Sequence, residues 1–299
     1  MFRLALAVAL MGAAALATAA DTAGVATIVE GKASVIHGNA RYDIVAGTRL
    51  AADDLLRTGD ATFLRVEYAD GSAVDLGPNS ELQLNAPGRR KAAVPALYLL
   101  SGWLKLSAGS TPAAGFSSPR LAVSDIVGSV VVRVDAGTGF FVEQGSAHAL
   151  ERRGHGNAES MALKSGSFLA LDADRPAHVQ DRPAPDFVAA LPRYFRDPLP
   201  LRYEKFAGHP AASRGRATFT YADVAVWLNA EPAIRRPFVQ LWRERAGDPP
   251  FREGLEHDLA LHPEWDPILH PPVVANDTSP AGATAAAPAP APTPVTAPH

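Results

Sequence analysis

The sequence predicts a mainly β protein: a stacked β domain of solenoid or sandwich type, then a small α-helical region and a disordered Pro/Ala-rich tail. One observation is alternation, since Leu64, Val66 and Tyr68 alternate with polar residues as in a strand with one buried face. Another is the recurrence of strand-like segments with glycine-containing turns between them at short spacing. This pattern stops near residue 181, and apolar residues then recur at helical spacing.

Residues 1–20 are predicted to be a cleaved signal peptide. Arg3 is the basic residue of a short amino-terminal region, and residues 4–16 form an apolar run that is short for a membrane span. Ala17-Thr18-Ala19 gives the small-x-small pattern of a cleavage site, with cleavage after Ala20 as an alternative. We therefore expect a periplasmic protein with no membrane span after cleavage. A retained amino-terminal anchor is the alternative.

The composition is that of a folded chain and argues against several classes of function. Of the 299 residues, 47% are hydrophobic, which is enough for one or two domains with a sizeable core. The formal net charge is −3, so the chain lacks the basic surface expected of a nucleic-acid-binding protein. The sequence contains no cysteine, which excludes disulfides, thiolate metal sites and cysteine nucleophiles.

Glycine-containing turns divide residues 21–180 into short predicted strands. Asp70-Gly71 is typical of a two-residue hairpin turn of a primed type, and residues 77–80 form a second turn. The same pattern predicts further turns around Gly31, Gly102, Gly145 and Gly166. We expect a strand on each side of every turn, with hairpins at Gly31 and Gly102.

The strand pattern gives way to helices after a boundary at residues 181–185. Residues 181–217 are predicted to be a linker with one short helix, over residues 186–195, that Pro192 weakens. Residues 218–272 form the helical region, in which Thr220 and Asp223 have the spacing of a capping box. Two more helices are expected, one capped by Asn229 and running to residue 246, and one starting at residues 248–249. Residues 273–299 are mostly Ala, Pro and Thr and are predicted to be disordered.

The turns of the β domain also carry a resemblance to a known family. The residues concerned are Gly47, Leu50, Leu56, Arg57-Thr58-Gly59, Asp70-Gly71-Ser72, Leu76-Gly77-Pro78-Asn79-Ser80 and Leu82. With these residues the chain resembles the FecR-type domain over about residues 24–179. The resemblance implies an extracytoplasmic all-β module. One departure is Val127, which stands where the family usually has an arginine.

The FecR-type resemblance also implies a role. In that family the domain receives a signal in the periplasm from an outer-membrane receptor, and a membrane span joins it to a cytoplasmic segment that binds a sigma factor. Here a predicted signal peptide stands where the segment and the span would be. We therefore expect the periplasmic part of that role alone.

No catalytic, cofactor-binding or metal-binding residue is predicted, and no cofactor. Glu256, His257, Asp258, His262, Glu264, Asp266 and His270 form the densest polar group. His257 and His262 are five residues apart, whereas a helical metal-binding pair is four apart. Asp53, Asp54, Asp60, Asp70 and Asp75 lack the dense spacing of a calcium loop. His148 and His155 flank a charged stretch that is typical of a solvated loop.

Two functions remain as hypotheses. The first is a non-enzymatic exported protein that binds or scaffolds through its β domain, by contact with an envelope protein or with peptidoglycan and with envelope signalling as one form of that role. A free sheet edge can recognise a protein partner by strand addition. The alternative is an enzyme acting on cell-envelope polysaccharide, which needs two carboxylates about 5–10 Å apart. Glu67, Asp75 and Glu81 are the candidates, but strand alternation is expected to point most of them into solvent. The sequence leaves the oligomeric state open.

Overall fold

The structure is a computed structural model that describes residues 22–84, 97–111, 113, 115–152, 160–172, 175–212 and 214–271. The strands are β1 (Thr22–Glu30), β2 (Ala33–His37), β3 (Ala40–Asp43), β4 (Arg49–Ala51), β5 (Leu55–Thr58), β6 (Phe63–Glu67), β7 (Ala73–Leu76), β8 (Glu81–Leu84), β9 (Leu97–Ser107), β10 (Phe116–Ser117), β11 (Leu121–Val134), β12 (Thr138–Glu151), β13 (Ser160–Lys164), β14 (Phe168–Leu171), β15 (His178–Gln180) and β16 (Arg214–Ala217). The helices are α1 (Pro185–Ala190), α2 (Arg193–Arg196), α3 (Tyr203–Ala207), α4 (Tyr221–Leu228), α5 (Pro232–Leu241), α6 (Pro249–His257) and α7 (Asp266–Leu269), with 3₁₀ turns at Arg243–Gly247 and Pro263–Trp265.

The strands form two layers that enclose one core. In the first layer the order is β16, β3, β2, β5, β8, β9, β10, β11, β12 and β13; in the second it is β4, β1, β6, β7, β9, β11, β12, β14 and β15. Alternate side chains of both layers meet in the middle, for example Leu56 and Leu82 from the first layer and Leu64, Leu104 and Val132 from the second. This arrangement confirms the predicted mainly β class followed by a small helical region.

Three long strands, β9, β11 and β12, run from one layer into the other. The first part of β9 pairs with β8, and its second part pairs with β7 and β11. The changes of layer coincide with Gly102, Gly128 and Gly145, which all have positive φ angles. A Cβ at Gly145 would lie 2.0 Å from the carbonyl oxygen of Val127, so only glycine fits this kink.

The strands on either side of Gly102 and of Gly145 were predicted to be separate, and this prediction is wrong. Positive φ permits a bulge within a strand as readily as a turn between strands, so the glycine pattern does not separate the two. The predicted hairpin at Gly31 is also wrong. β1 pairs with β4 and β6, whereas β2 pairs with β3 and β5, so the turn carries the chain from the second layer to the first.

The predicted hairpin at Asp70-Gly71 is confirmed, with a different turn. β6 and β7 pair from Leu64↔Leu76 to Glu67↔Ala73. Four residues form the turn, closed by the Gly71 amide donating to the Tyr68 carbonyl oxygen at 3.1 Å. Gly71 has a φ of 82°, but Asp70 has no positive φ, so the turn is not a primed type.

The residues that carry the family resemblance form a hydrogen-bonded clasp between β5 and the predicted second turn. The hydroxyl of Thr58 donates to the carbonyl oxygen of Gly77 at 2.7 Å and accepts from the amide of Ser80 at 2.8 Å. The amide of Asn79 donates to the carbonyl oxygen of Gly59 at 3.0 Å. Side-chain and backbone hydrogen bonds together therefore fasten this turn to the end of β5 where the chain leaves β7 for β8, which explains a structural role for this motif.

The second half of the chain covers the outer faces of both layers. Residues 184–202, which we call the strap, lie on the second layer, where Phe187 and Phe195 pack against Trp103 and Phe63. The chain then passes the sheet edge through α3 and pairs β16 with β3. Helices α4 to α7 cover the first layer, with Trp227 packed against Tyr98 at 6.3 Å.

The helical region follows the sequence signals in part. The capping box of Thr220 and Asp223 is present and starts α4, as predicted. Asn229 was predicted to cap α5, and this is wrong. Asn229 follows the last turn of α4, and its side chain contacts His262 instead. The helix predicted to run to residue 246 ends at Leu241 and continues as a 3₁₀ turn. α6 begins after Asp248 as predicted.

Three predictions fall outside or beyond what the structure tests. Residues 1–20 and 273–299 lie outside the described residues, so the signal peptide and the disordered tail stay predictions. The division into domains at residues 180 and 217 also stays a prediction. Residues 181–217, predicted as a linker with one short helix, contain α1, α2, α3 and β16.

No helix in the described ranges is both long and apolar enough to cross a membrane.

Candidate functional site

The polar group near the C-terminus does not converge on a site. His262 is fully buried, with Nε2 lying 3.1 Å from the Leu255 carbonyl oxygen and Nδ1 lying 3.1 Å from Oδ1 of Asn229. Burial lowers the pKa of His262, which favours the neutral ring. His257 is exposed on α6. Within the described residues, no three His, Asp or Glu side chains are grouped so that they could hold a metal ion. The role of His262 is therefore packing.

The aspartates of the β domain form no group of three among the described residues that could hold a metal ion. Asp54 is buried, accepts from the amide of Ala51 and lies 2.6 Å from Nδ1 of His37. This hydrogen bond raises the pKa of His37. Asp70 accepts from Ser72 within its turn.

Of the two histidines that flank the charged stretch, the structure describes His148. His148 is exposed, and its Nδ1 lies 3.5 Å from a carboxylate oxygen of Asp125. His155 lies outside the described residues.

Two of the candidate carboxylates are buried, and the expectation that they face solvent is wrong. Glu67 is 0% exposed and Asp75 is 2% exposed, both on the outer face of the second layer. Arg65 lies between them, with Nε 3.0 Å from Glu67 and Nη1 3.2 Å from Asp75. Alternation does point these side chains outward, but the strap covers that face. The amide of Arg202 donates to Glu67 at 2.6 Å.

Lys105 and Glu143 complete this group, which we call the charged cluster together with Arg65, Glu67 and Asp75. Nζ of Lys105 lies 2.7 Å from Glu143 and donates to the Phe195 carbonyl oxygen of the strap at 2.7 Å. Burial raises the pKa of Asp75 to about 7, although Arg65 and Lys105 act in the opposite direction. The strap closes over Glu67 and Asp75, so these two carboxylates cannot reach a polysaccharide.

Glu81 lies on the other outer face, under the helices. It forms an ion pair with Arg57 and accepts from Nε1 of Trp227 at 3.0 Å. Burial raises the pKa of Glu81, while Arg57 and the indole N–H lower it. Arg57 also donates to the carbonyl oxygen of Asp223 at 2.8 Å. Glu81 therefore joins α4 to the sheet and is far from being a free acid.

A cleft of about 430 Å³ lies on the outer face of the second layer, beside α1. It is lined by Arg133, Asp135, Gly137, Thr138, Gly139, Phe168, Ala170, Asp172, Arg175, His178, Gln180, Ala184, Asp186 and Phe187. The rings of Phe168 and Phe187 meet edge to face with centroids 5.0 Å apart. A Cβ at Gly139 would lie 2.9 Å from the Phe187 ring, so glycine lets α1 approach the sheet. The volume is within the range of protein ligand pockets.

Charged groups form the rim of the cleft. Nη2 of Arg133 lies 2.6 Å from Asp135, and its guanidinium lies over the Trp103 ring at 5.3 Å. Nη1 of Arg175 lies 3.9 Å from Asp172. The accessible lining of the cleft is therefore mainly polar and charged, and the rings of Phe168 and Phe187, which are 3% and 4% exposed, form a small apolar part of its floor.

Strand β15 forms one wall of the cleft and is an edge of the second layer. Among the described residues, β15 pairs only with β14. His178 and Gln180 line the cleft, and Nε2 of Gln180 lies 2.7 Å from Nε2 of His178. Val179, between them, is 47% exposed. Within the described part of the chain, the strands β4, β13 and β16 also pair on one side only, but none of them borders the cleft.

Sequence reasoning missed the cleft. Its residues come from six parts of the chain between positions 133 and 187, and no short motif joins them. The one local signal is Arg133, a charged residue in the valine run of β11. Strand alternation predicts that the Arg133 side chain lies outside the core, but it does not predict which residues lie opposite that side chain.

Comparisons with known proteins find two similar crystal structures, both of a "putative anti-sigma factor" from Parabacteroides distasonis ATCC 8503. They are 13% and 12% identical to this chain, cover 45% of it and have a TM-score of 0.37. The chain spans 62% and 63% of their length, or about three fifths. No family of known proteins matches the sequence, and no curated protein matches it.

Proposed function

We propose that this protein is a non-enzymatic, exported FecR-type binding module that acts in the periplasm and binds an extended segment of an envelope protein. The segment adds to the second layer as a new strand beside β15 and lies along the cleft. The observation that carries the proposal is this free strand edge with a cleft directly beside it. The predicted signal peptide and the turn motif support the export and the family.

Strand addition explains why an edge and a cleft lie together. A free edge presents backbone N–H and C=O groups that a second chain can pair with, whatever its sequence. Alternate side chains of the added strand then face the same side, so those on the outer face enter the cleft. β15 has three residues, about 10 Å of backbone, so the paired length is small. The cleft supplies the specificity that so short a ladder lacks.

Site-specific crosslinking in cells tests the proposal. A photo-reactive amino acid is placed at Val179 on the β15 edge or, as the matched control, at Ala162 on the edge strand β13, which is also exposed. We expect a crosslinked envelope protein from position 179 and none from position 162. Val179→Pro, which disrupts the edge strand, should abolish capture by a probe placed at His178. Equal capture from both edges, or capture that survives Val179→Pro, would show that β15 is not the binding edge.

A further inference from the structure

We infer that the cleft is a pocket for one long cationic side chain, lysine or arginine, of the segment that adds to β15. This inference rests on the proposed function and specifies the chemistry of the partner. The cleft combines a small apolar floor with a rim of charges, and a lysine or arginine side chain has the same two parts, an aliphatic stem and a charged end.

The floor matches the stem. Phe168 and Phe187 form an edge-to-face pair, and Ala170, Ala184 and Gly139 leave space above them. Methylene groups laid on such a floor are removed from water, which is favourable by about 0.8 kcal/mol for each one that is fully buried. Phe168 and Phe187 are only 3% and 4% exposed, so this contribution is small beside that of the charged rim.

The rim favours a positive charge at the end of that stem. Among the described residues, three carboxylates line the cleft, Asp135, Asp172 and Asp186, against two guanidinium groups, and His178 forms no ion pair. Each guanidinium already has an aspartate partner, at 2.6 and 3.9 Å. Asp186 has no ion-pair partner among the described residues and is exposed on α1. An entering cation therefore finds a free carboxylate.

An entering anion would find no such partner. Arg133 would have to leave Asp135 and its position over Trp103, where cation–π contact adds to the ion pair. The formal balance of aspartate and arginine charges in the lining is −1, which repels a carboxylate. Charge complementarity thus selects between two extended peptides that pair equally well with the β15 backbone.

Matched peptide arrays test the inference on the purified protein. Ten-residue peptides alternate varied β-branched residues with one fixed residue type, which is lysine, norleucine or glutamate. Norleucine keeps the aliphatic stem of lysine and lacks the charge. We expect the lysine peptides to bind about tenfold more tightly than the norleucine peptides and the glutamate peptides to bind least, because one charge-assisted contact is worth roughly this factor.

Three variants separate this inference from the proposed function. Asp186→Asn should remove most of the preference for lysine, whereas Asp181→Asn, an exposed control outside the cleft lining, should keep it. Val179→Pro should weaken all three peptide sets. Equal binding of the three sets, or a preference unchanged by Asp186→Asn, overturns the cationic pocket and leaves strand addition standing if Val179→Pro still weakens binding. Absence of binding by every set, or indifference to Val179→Pro, overturns strand addition at β15 and the pocket with it.

Discussion

The Asp75→Asn variant tests whether the strap keeps a carboxyl group out of water. Asp75 is 2% exposed, and one of its oxygens, Oδ1, has no hydrogen-bond partner within the described residues. Burial raises the pKa of Asp75 from 3.8 to about 7 in the folded protein. Asparagine has nearly the same shape and no charge, so the substitution removes the titration and leaves the packing in place.

The sign and size of the effect follow from proton linkage. The folded state binds the Asp75 proton more tightly than the unfolded state does, so the stability due to this group is fully present below pH 4. It is lost as pH rises towards 7, the pKa of Asp75 in the folded protein. A difference of about three pKa units corresponds to about 4 kcal/mol. We therefore expect Asp75→Asn to gain up to about 4 kcal/mol on the wild type between pH 4 and pH 8.

Urea unfolding of both proteins at several pH values between 4 and 8 measures this difference. Asp60→Asn is the control, since Asp60 is exposed and the change removes one surface charge. The free energy of unfolding of Asp75→Asn minus that of the wild type should grow steadily with pH, and the control difference should stay flat. A difference for Asp75→Asn that is equally flat would mean that Arg65 and Lys105 offset the effect of burial on the pKa of this carboxyl group. The burial argument would then be wrong.

Three further predictions concern the kink, the clasp and the helical region. Gly145→Ala places a Cβ against a backbone oxygen at positive φ and should cost about 3 kcal/mol in thermal or urea unfolding. Gly166→Ala, at positive φ with the nearest atom an ordinary 3.6 Å from the Cβ, should cost about 1 kcal/mol; equal costs would contradict the kink. Ser80→Ala leaves the buried amide of Trp103 without its 2.9 Å acceptor and should cost about 1–3 kcal/mol in the same assay, and no loss would contradict this link between the clasp turn and β9. The lowered pKa of buried His262 means that stability falls as pH drops below 6.5, so hydrogen exchange in α6, corrected for its intrinsic rate, should be faster at pH 5 than at pH 7 in the wild type and unchanged in His262→Gln.

Local signals in the sequence predict local structure well in this chain. The hairpin between β6 and β7 and the capping box before α4 each depend on residues within about ten positions of one another. The buried alternation of Leu64 and Val66 places those strands on the core without knowledge of their neighbours. The class of the fold follows from the number of such segments.

Strand connectivity depends on information that a local pattern lacks. Gly31, Gly71 and Gly102 all have positive φ, yet they form a passage between layers, a hairpin turn and a kink within one strand. The choice among these outcomes is made by the pairing partners, which for β9 include β11 at more than twenty residues' distance. A glycine therefore indicates a change of chain direction. Whether this change is a hairpin turn, a passage between layers or a kink within a strand depends on how the flanking segments pair.

The candidate site escaped prediction because its walls are brought together by the strap. Strand pairing in the second layer brings the β11–β12 turn, β14 and β15 near one another, but α1 closes the cleft only through Phe187, which is held between Phe168 and Trp103. An apolar contact such as that of Phe187 has no preferred direction, so on a flat sheet face it does not by itself fix where α1 lies. The position of α1 must therefore be fixed by directional contacts elsewhere along the strap.

The charged cluster provides these contacts. Its role is therefore to position the strap on the sheet and not to stabilise the fold. Buried ion pairs contribute little net stability, because desolvation offsets their attraction, but they penalise any arrangement that leaves a charge unpaired. Lys105 holds the carbonyl of Phe195 and Glu67 holds the amide of Arg202, so the strap meets the sheet at two fixed backbone positions. Asp75 makes neither contact. Its neutralisation should therefore change the free energy of unfolding and leave α1 and the cleft in place, so Asp75→Asn should bind peptides as the wild type does.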